Sequence, residues 1–170
     1  MSLDKTSLFD FLEVLDKELE KKITLVAVGG TAMTLLDLKS STIDIDFTIP
    51  SENRDEYEKA VSNIPHGLKI DVWDDGIIFS QILPSDYMQK SVKIKEYENI
   101  ELLALNPVDI IVTKIGRSND RDLQDIQLCI TKTNLSRKEI ITRGKLTEYV
   151  GNRENYDNNL NIIIGRFFTK

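Results

Sequence analysis

Cysteine and histidine are almost missing from this chain: its 170 residues hold one of each, Cys129 and His66. A single cysteine excludes an internal disulfide and a cysteine-based zinc site. A single histidine excludes a His-rich metal centre and leaves little from which to build a Ser–His–Asp triad. Any catalytic metal must then be held by carboxylates, which points to a hard ion such as magnesium or manganese. Positive charge is in deficit, with 22 Lys and Arg against 28 Asp and Glu, a formal net charge of −6. Nonspecific nucleic-acid binding needs clustered positive charge, so a polyanion-binding coat is excluded. No apolar run approaches the roughly 18–20 residues of a membrane span. Acids are spread through the first turns, where a secretory leader would be apolar, so the expected setting is cytoplasmic, without membrane contact.

What is present suits one domain with a short helical addition. The hydrophobic share of 41% is enough for a real core. Leu8, Leu12, Leu15 and Leu19 share one face of a helix expected over 7–21. Residues 23–28 form an apolar, β-rich run that ends at Gly29-Gly30, before a short helix over 31–38. Residues 42–49 alternate, with Ile43, Ile45 and Phe47 on one face and Asp44, Asp46 and Thr48 on the other. A polar helix over 51–63 and a strand over 68–73 come next, and Asp74-Asp75-Gly76 should turn that strand back into a hairpin with 77–83. Strands are expected over 91–97 and 100–105, then helices over 108–117, 120–131, 136–150 and 154–168. The expected fold is α/β (α+β): a short, mixed, mostly antiparallel twisted sheet flanked by helices, with a small C-terminal helical group. We expect a core over 1–131 and a helical extension over 132–170 packed on it. That extension has eight Lys/Arg against four acids, or +4, which leaves −10 for the core.

Three features carry chemistry. In Val28-Gly29-Gly30-Thr31 a strand meets two glycines and a helix start, where backbone can approach an anion closely. Asp44-Ile45-Asp46-Phe47 puts two carboxylates at i and i+2 on one strand face, where they repel unless a divalent cation lies between them. Asp71 sits on the polar face of the next strand. If the two strands are neighbours, three carboxylates converge, and two metal ions could hold a triphosphate and an attacking hydroxyl in line.

Together these residues resemble the signature of the DNA polymerase β-like nucleotidyltransferase superfamily. Val28-Gly29-Gly30 is followed, after residues 31–43, by Asp44-Ile45-Asp46-Phe47, and Asp71 looks like the third carboxylate. The stretch 103–117, with Lys114 and Arg117, followed by Asp120-Arg121-Asp122-Leu123-Gln124-Asp125-Ile126, is similar to a segment of AbiEii-type toxins and their small stand-alone relatives. The resemblance spans about residues 23–130. It implies a magnesium- or manganese-dependent nucleotidyltransferase that uses an NTP as substrate. Asp44, Asp46 and Asp71 would be catalytic and metal-binding; Gly29, Gly30, Thr31, Lys114, Arg117 and Asp122 would bind nucleotide, with Asp125 behind them. It further implies an RNA or protein hydroxyl acceptor and a toxin–antitoxin setting with an antitoxin partner.

Each feature also has a plainer reading. Gly29-Gly30 can be an ordinary strand-to-helix turn. Lys114 and Arg117 can be salt-bridge residues, and Asp122 and Asp125 can serve the start of a helix. Trp73 shares the Asp71 face and either walls a base pocket or packs as an ordinary aromatic; Cys129 fits a core and His66 a turn. The alternative function is a catalytically inactive nucleotide- or metal-binding regulatory module of the same fold.

Overall fold

The computed structural model of the chain describes residues 1–168. Lys170, one of the eight tail cations, lies outside the described residues. A two-residue strand, β1 (Leu3–Asp4), leads into helix α1 (Lys5–Glu18), which starts ahead of the expected position because Asp4 caps it, accepting from the Ser7 N–H at 2.8 Å. Then come β2 (Ile23–Ala27), α2 (Gly29–Leu35), β3 (Ser41–Thr42), β4 (Ile45–Ile49), α3 (Arg54–Ser62) and β5 (Ile70–Asp74). The short strands β6 (Ile77–Ile78) and β7 (Gln81–Ile82) precede α4 (Tyr87–Lys90), β8 (Val92–Glu96) and β9 (Ile100–Ala104). The remainder is α5 (Pro107–Val112), α6 (Asp120–Thr133), α7 (Arg137–Leu146), β10 (Glu148–Tyr149) and α8 (Arg153–Phe168).

The main sheet has the order β5-β4-β2-β9-β8. Its pairings are evenly mixed, β2–β4 and β8–β9 antiparallel, β2–β9 and β4–β5 parallel, rather than mostly antiparallel as the sequence suggests. Helix α3 is the crossover that makes β4 and β5 parallel, since parallel neighbours need a long connection. Ile45, Phe47 and Ile49 are buried on one side of β4. The alternation does not extend back to Ile43, which is 56% exposed at a bend before the strand.

Three other expectations change. β5 does not form a hairpin with 77–83: that segment folds on itself as β6–β7, and β10 joins it in a separate sheet ordered β10-β7-β6. The helix expected over 108–117 stops at Val112, and a run of turns carries the chain through Lys114 and Arg117. The helix expected over 136–150 stops at Leu146, because Glu148–Tyr149 is used as a strand.

The last third of the chain is tied to the rest by buried polar contacts. Arg143, 6% exposed, donates from Nη2 to Asp109 Oδ2 at 3.0 Å and from Nη1 to Asp86 Oδ1 at 2.7 Å. The Tyr156 hydroxyl donates to the Val112 carbonyl at 2.8 Å, and Asn159 donates to the Ile115 carbonyl at 2.9 Å. Arg143, counted in the basic tail, is therefore a buried structural cation, unavailable to an acceptor.

Candidate active site

A cavity of about 290 Å³ opens where β4 and β5 face the β2–α2 turn, the 113–117 turns and the start of α6. Gly29, Gly30, Asp44, Asp46, Asp71, Lys114, Arg117, Asp122 and Asp125 all line it, drawn from across the sequence. Thr31 does not: it is fully buried. Its hydroxyl donates to the Asp44 carbonyl at 3.1 Å and accepts from the Asp46 N–H at 2.9 Å. That side chain is spent on clamping the 44–46 segment against α2.

The carboxylates meet because the strands align. Asp46 and Asp71 are register partners on parallel β4 and β5. Burial, and then the neighbouring charges of Asp44 and Asp71, push the Asp46 carboxyl up to about 6; Lys69 and Lys114 oppose that rise. Lys69 also borders the cavity, with its ammonium 3.4 Å from Asp44 Oδ2 and 3.5 Å from Asp71 Oδ2. Among the described residues, no three Asp, Glu, His or Cys side chains form a ready-made cation cage. The donor set nevertheless suits a hard cation. It offers only oxygen, the three acids repel one another, and an exposed ammonium already stands between two of them.

The glycine pair has a specific steric cause. Gly29 has φ +53°, and a Cβ there would lie 3.5 Å from Asp46 Oδ2. A Cβ on Gly30 would come within 2.7 Å of Thr42 Oγ1, the hydroxyl that donates to the Asp44 carbonyl at 3.0 Å. Gly29 is favoured by its positive φ, and bare backbone at Gly30 lets the turn close on Thr42, which holds the Asp44 carbonyl.

The opposite wall is a buried charge knot. Lys114, only 5% exposed, lies 3.3 Å from Asp122 Oδ1 and 3.0 Å from Asp125 Oδ2. Lys39 reaches Asp125 Oδ1 at 3.0 Å, and Arg117 Nη2 donates to Asp122 Oδ1 at 3.0 Å. Three cations face two carboxylates, so this wall keeps an excess of positive charge. Asp122 also lies in the first turn of α6, as its helix-start reading expects; its own N–H is held by Asn119 at 3.0 Å, and its buried Oδ2 has no hydrogen-bond partner among the described residues. Lys114 and Arg117 thus satisfy the salt-bridge reading and line the cavity at once.

Sequence reasoning missed Lys39, Lys69, Ile43, Phe79 and Arg121, which also border the cavity. Lys69 was legible, two residues before Asp71 and hence on the same strand face. No periodicity marks Lys39 or Phe79. Trp73 does not line the cavity; it packs on Phe79, ring centroids 4.8 Å apart. Cys129 is buried, and burial pushes its thiol up to about 12. His66 lies exposed in the irregular segment between α3 and β5, where no regular turn forms.

A family model described as "Nucleotidyltransferase of unknown function (DUF6036)" matches residues 6–163. The chain belongs to this nucleotidyltransferase family. No curated protein matches it. Among solved structures, this nucleotidyltransferase is similar to the crystal structure of ANT(2")-Ia in complex with adenylyl-2"-tobramycin. The identity is 15%, with 95% of this chain and 97% of that chain covered and a TM-score of 0.48. Among the described residues of the nucleotidyltransferase, no helix is long and apolar enough to cross a membrane.

Proposed function

We propose that the protein moves a nucleoside monophosphate from an NTP to a hydroxyl acceptor, with magnesium or manganese bound by Asp44, Asp46 and Asp71. The observation that supports this most is the facing of those carboxylates, from adjacent strands, against the bare Gly29–Gly30 turn in one cavity. The bound cation would supply electrostatic stabilisation of the transferring phosphoryl group. Gly29 and Gly30 would let the triphosphate lie against the backbone. Lys114 and Arg117, with Asp122 holding both, would set positive charge along it. Thr31 would position Asp44 and Asp46 rather than touch substrate. Asp71, 44% exposed, would orient the acceptor hydroxyl and take its proton as oxygen attacks the α-phosphorus and pyrophosphate leaves.

In this reading residues 1–131 form the catalytic core, and 132–170 form the extension that meets the acceptor. The acceptor is an RNA or a protein; exposed Arg137, Lys138 and Lys145 on α7 favour RNA. The resemblance to AbiEii-type relatives supports a cytoplasmic toxin–antitoxin setting with an antitoxin partner.

Incubating the protein with α-labelled NTPs, magnesium and separate cellular RNA and protein fractions tests it. Label should enter one fraction, and Asp44→Asn with Asp46→Asn should lower transfer about 100-fold or more. Equal transfer by the double variant would sink the reading. No transfer, together with an NTP-dependent rise in Tm, would identify the inactive binding module instead.

A further inference from the structure

The tip of the β6–β7 hairpin is built against its local preferences. The loop between paired Ile78 and Gln81 is the two residues Phe79-Ser80. Such loops favour Gly, Asn or Asp where φ is positive, yet Phe79 stands there with φ +53°. A bulky side chain in that region is an outlier, and such strain persists only where the surroundings impose it. The ring is not in the core either: it is 46% exposed, at the border of the cavity.

The surroundings show what the ring does. The Arg117 guanidinium lies over it, 3.9 Å from the ring centroid. Arg117 sits on an irregular turn, where no helix fixes its direction. Two contacts hold the guanidinium instead, the Phe79 ring and Asp122 Oδ1. Only Nη2 is engaged by Asp122, and the guanidinium has further donors for a ligand in the cavity. The hairpin is braced in turn. Trp73 packs on Phe79, β10 pairs with β7, and the Val150 N–H donates to the Ser80 carbonyl at 2.9 Å.

We propose that Phe79 is a positioning residue for the nucleotide: its ring, held over the cavity by a strained and externally braced hairpin tip, aims the Arg117 guanidinium at the phosphates of the NTP. This rests on the nucleotidyltransferase reading above and names how one of its binding groups is set. A planar cation stacked on an aromatic face keeps its in-plane donors free, which suits phosphate oxygens.

The test is a double-mutant cycle on magnesium–NTP binding, read by calorimetry with the tightest-binding of the four ribonucleoside triphosphates. Phe79→Gly suits the positive φ while removing the ring and its packing on Trp73; the hairpin, braced by β10, should still form, with cooperative unfolding retained. It should weaken NTP binding about fivefold or more. Phe79→Tyr should keep parent affinity. In an Arg117→Ala background, Phe79→Gly should change affinity no further. Unchanged affinity in Phe79→Gly, or full additivity with Arg117→Ala, overturns the proposal while leaving the nucleotidyltransferase reading intact. A parent protein that binds no NTP overturns both.

Discussion

Asp46 shows how a residue can be unfavourable for the fold and useful to the site. Its carboxyl is pushed up to about 6 by burial and by two neighbouring aspartates, against an ordinary value of 3.8. The unfolded chain therefore releases this proton at lower pH than the folded one does. Stability contributed by the protonated side chain is present at acid pH and is lost as pH rises from about 4 through about 6. Asp46→Asn mimics the protonated form at every pH. In chelator at pH 7 it should stabilise the protein by about 1–3 kcal/mol in urea unfolding. The gain should vanish near pH 3.5. A gain that does not change with pH would mean that ionisation of Asp46 is not the cause.

The elements around the site depend on one another more than on their own sequences. Tyr149, in β10, is wedged between two glycines: a Cβ on Gly116 would come within 2.6 Å of its ring, and one on Gly151 within 2.7 Å. Gly116 lies in the turns that carry Lys114 and Arg117, so its bareness serves the C-terminal segment. Gly116→Ala must displace a ring that also packs against Tyr156, with centroids 5.3 Å apart. It should cost about 1–3 kcal/mol by chemical denaturation and weaken NTP binding with it, since Arg117 moves with the turn. Equal stability of parent and variant would show that the slot is loose.

The same elements show which parts of the structure were legible in the sequence. β2, β4, β5, β8 and β9 announce themselves by apolar runs and period two, and the helices opening near 107, 120 and 136 start where they are expected, each behind a side-chain cap (Asn106, Asn119 and Ser136). The glycine pair and the three aspartates stood out because their spacing is fixed by one turn and two adjacent strands. The extended character of 77–83 was legible, but not its split into β6 and β7, nor β10. Each is two residues long, and it is a strand only because a distant partner pairs with it. Phe79 was hidden for the same reason: nothing local asks a phenylalanine to adopt a positive φ.

At the scale of the whole molecule, the charge asymmetry needs a finer description than a basic tail on an acidic core. Asp109 is fully buried and Arg143 nearly so, and their pairing joins α7 to α5. Arg143→Met would strand a buried carboxylate and should destabilise the protein by about 3–5 kcal/mol in urea. Arg137→Glu with Lys138→Glu, on the exposed side of the same helix, should shift stability by about 0.5 kcal/mol or less. Similar losses from both would mean that the buried pair contributes no more than the surface. RNA-transfer assays on charge reversals therefore belong with Arg137, Lys138 and Lys145, and not with Arg143.

Trp73 is the chain's single tryptophan, and it packs, tilted, against the residue at the hairpin tip beside the cavity. The molecule thus carries one indole, whose emission can be excited apart from that of its five tyrosines, lodged next to the site and away from the leucine-rich contacts of α1. Its emission reports the local environment of the hairpin, while far-ultraviolet dichroism averages over every helix and strand. Unfolding followed by both signals on one sample separates loosening of the site from loss of the fold, without any label.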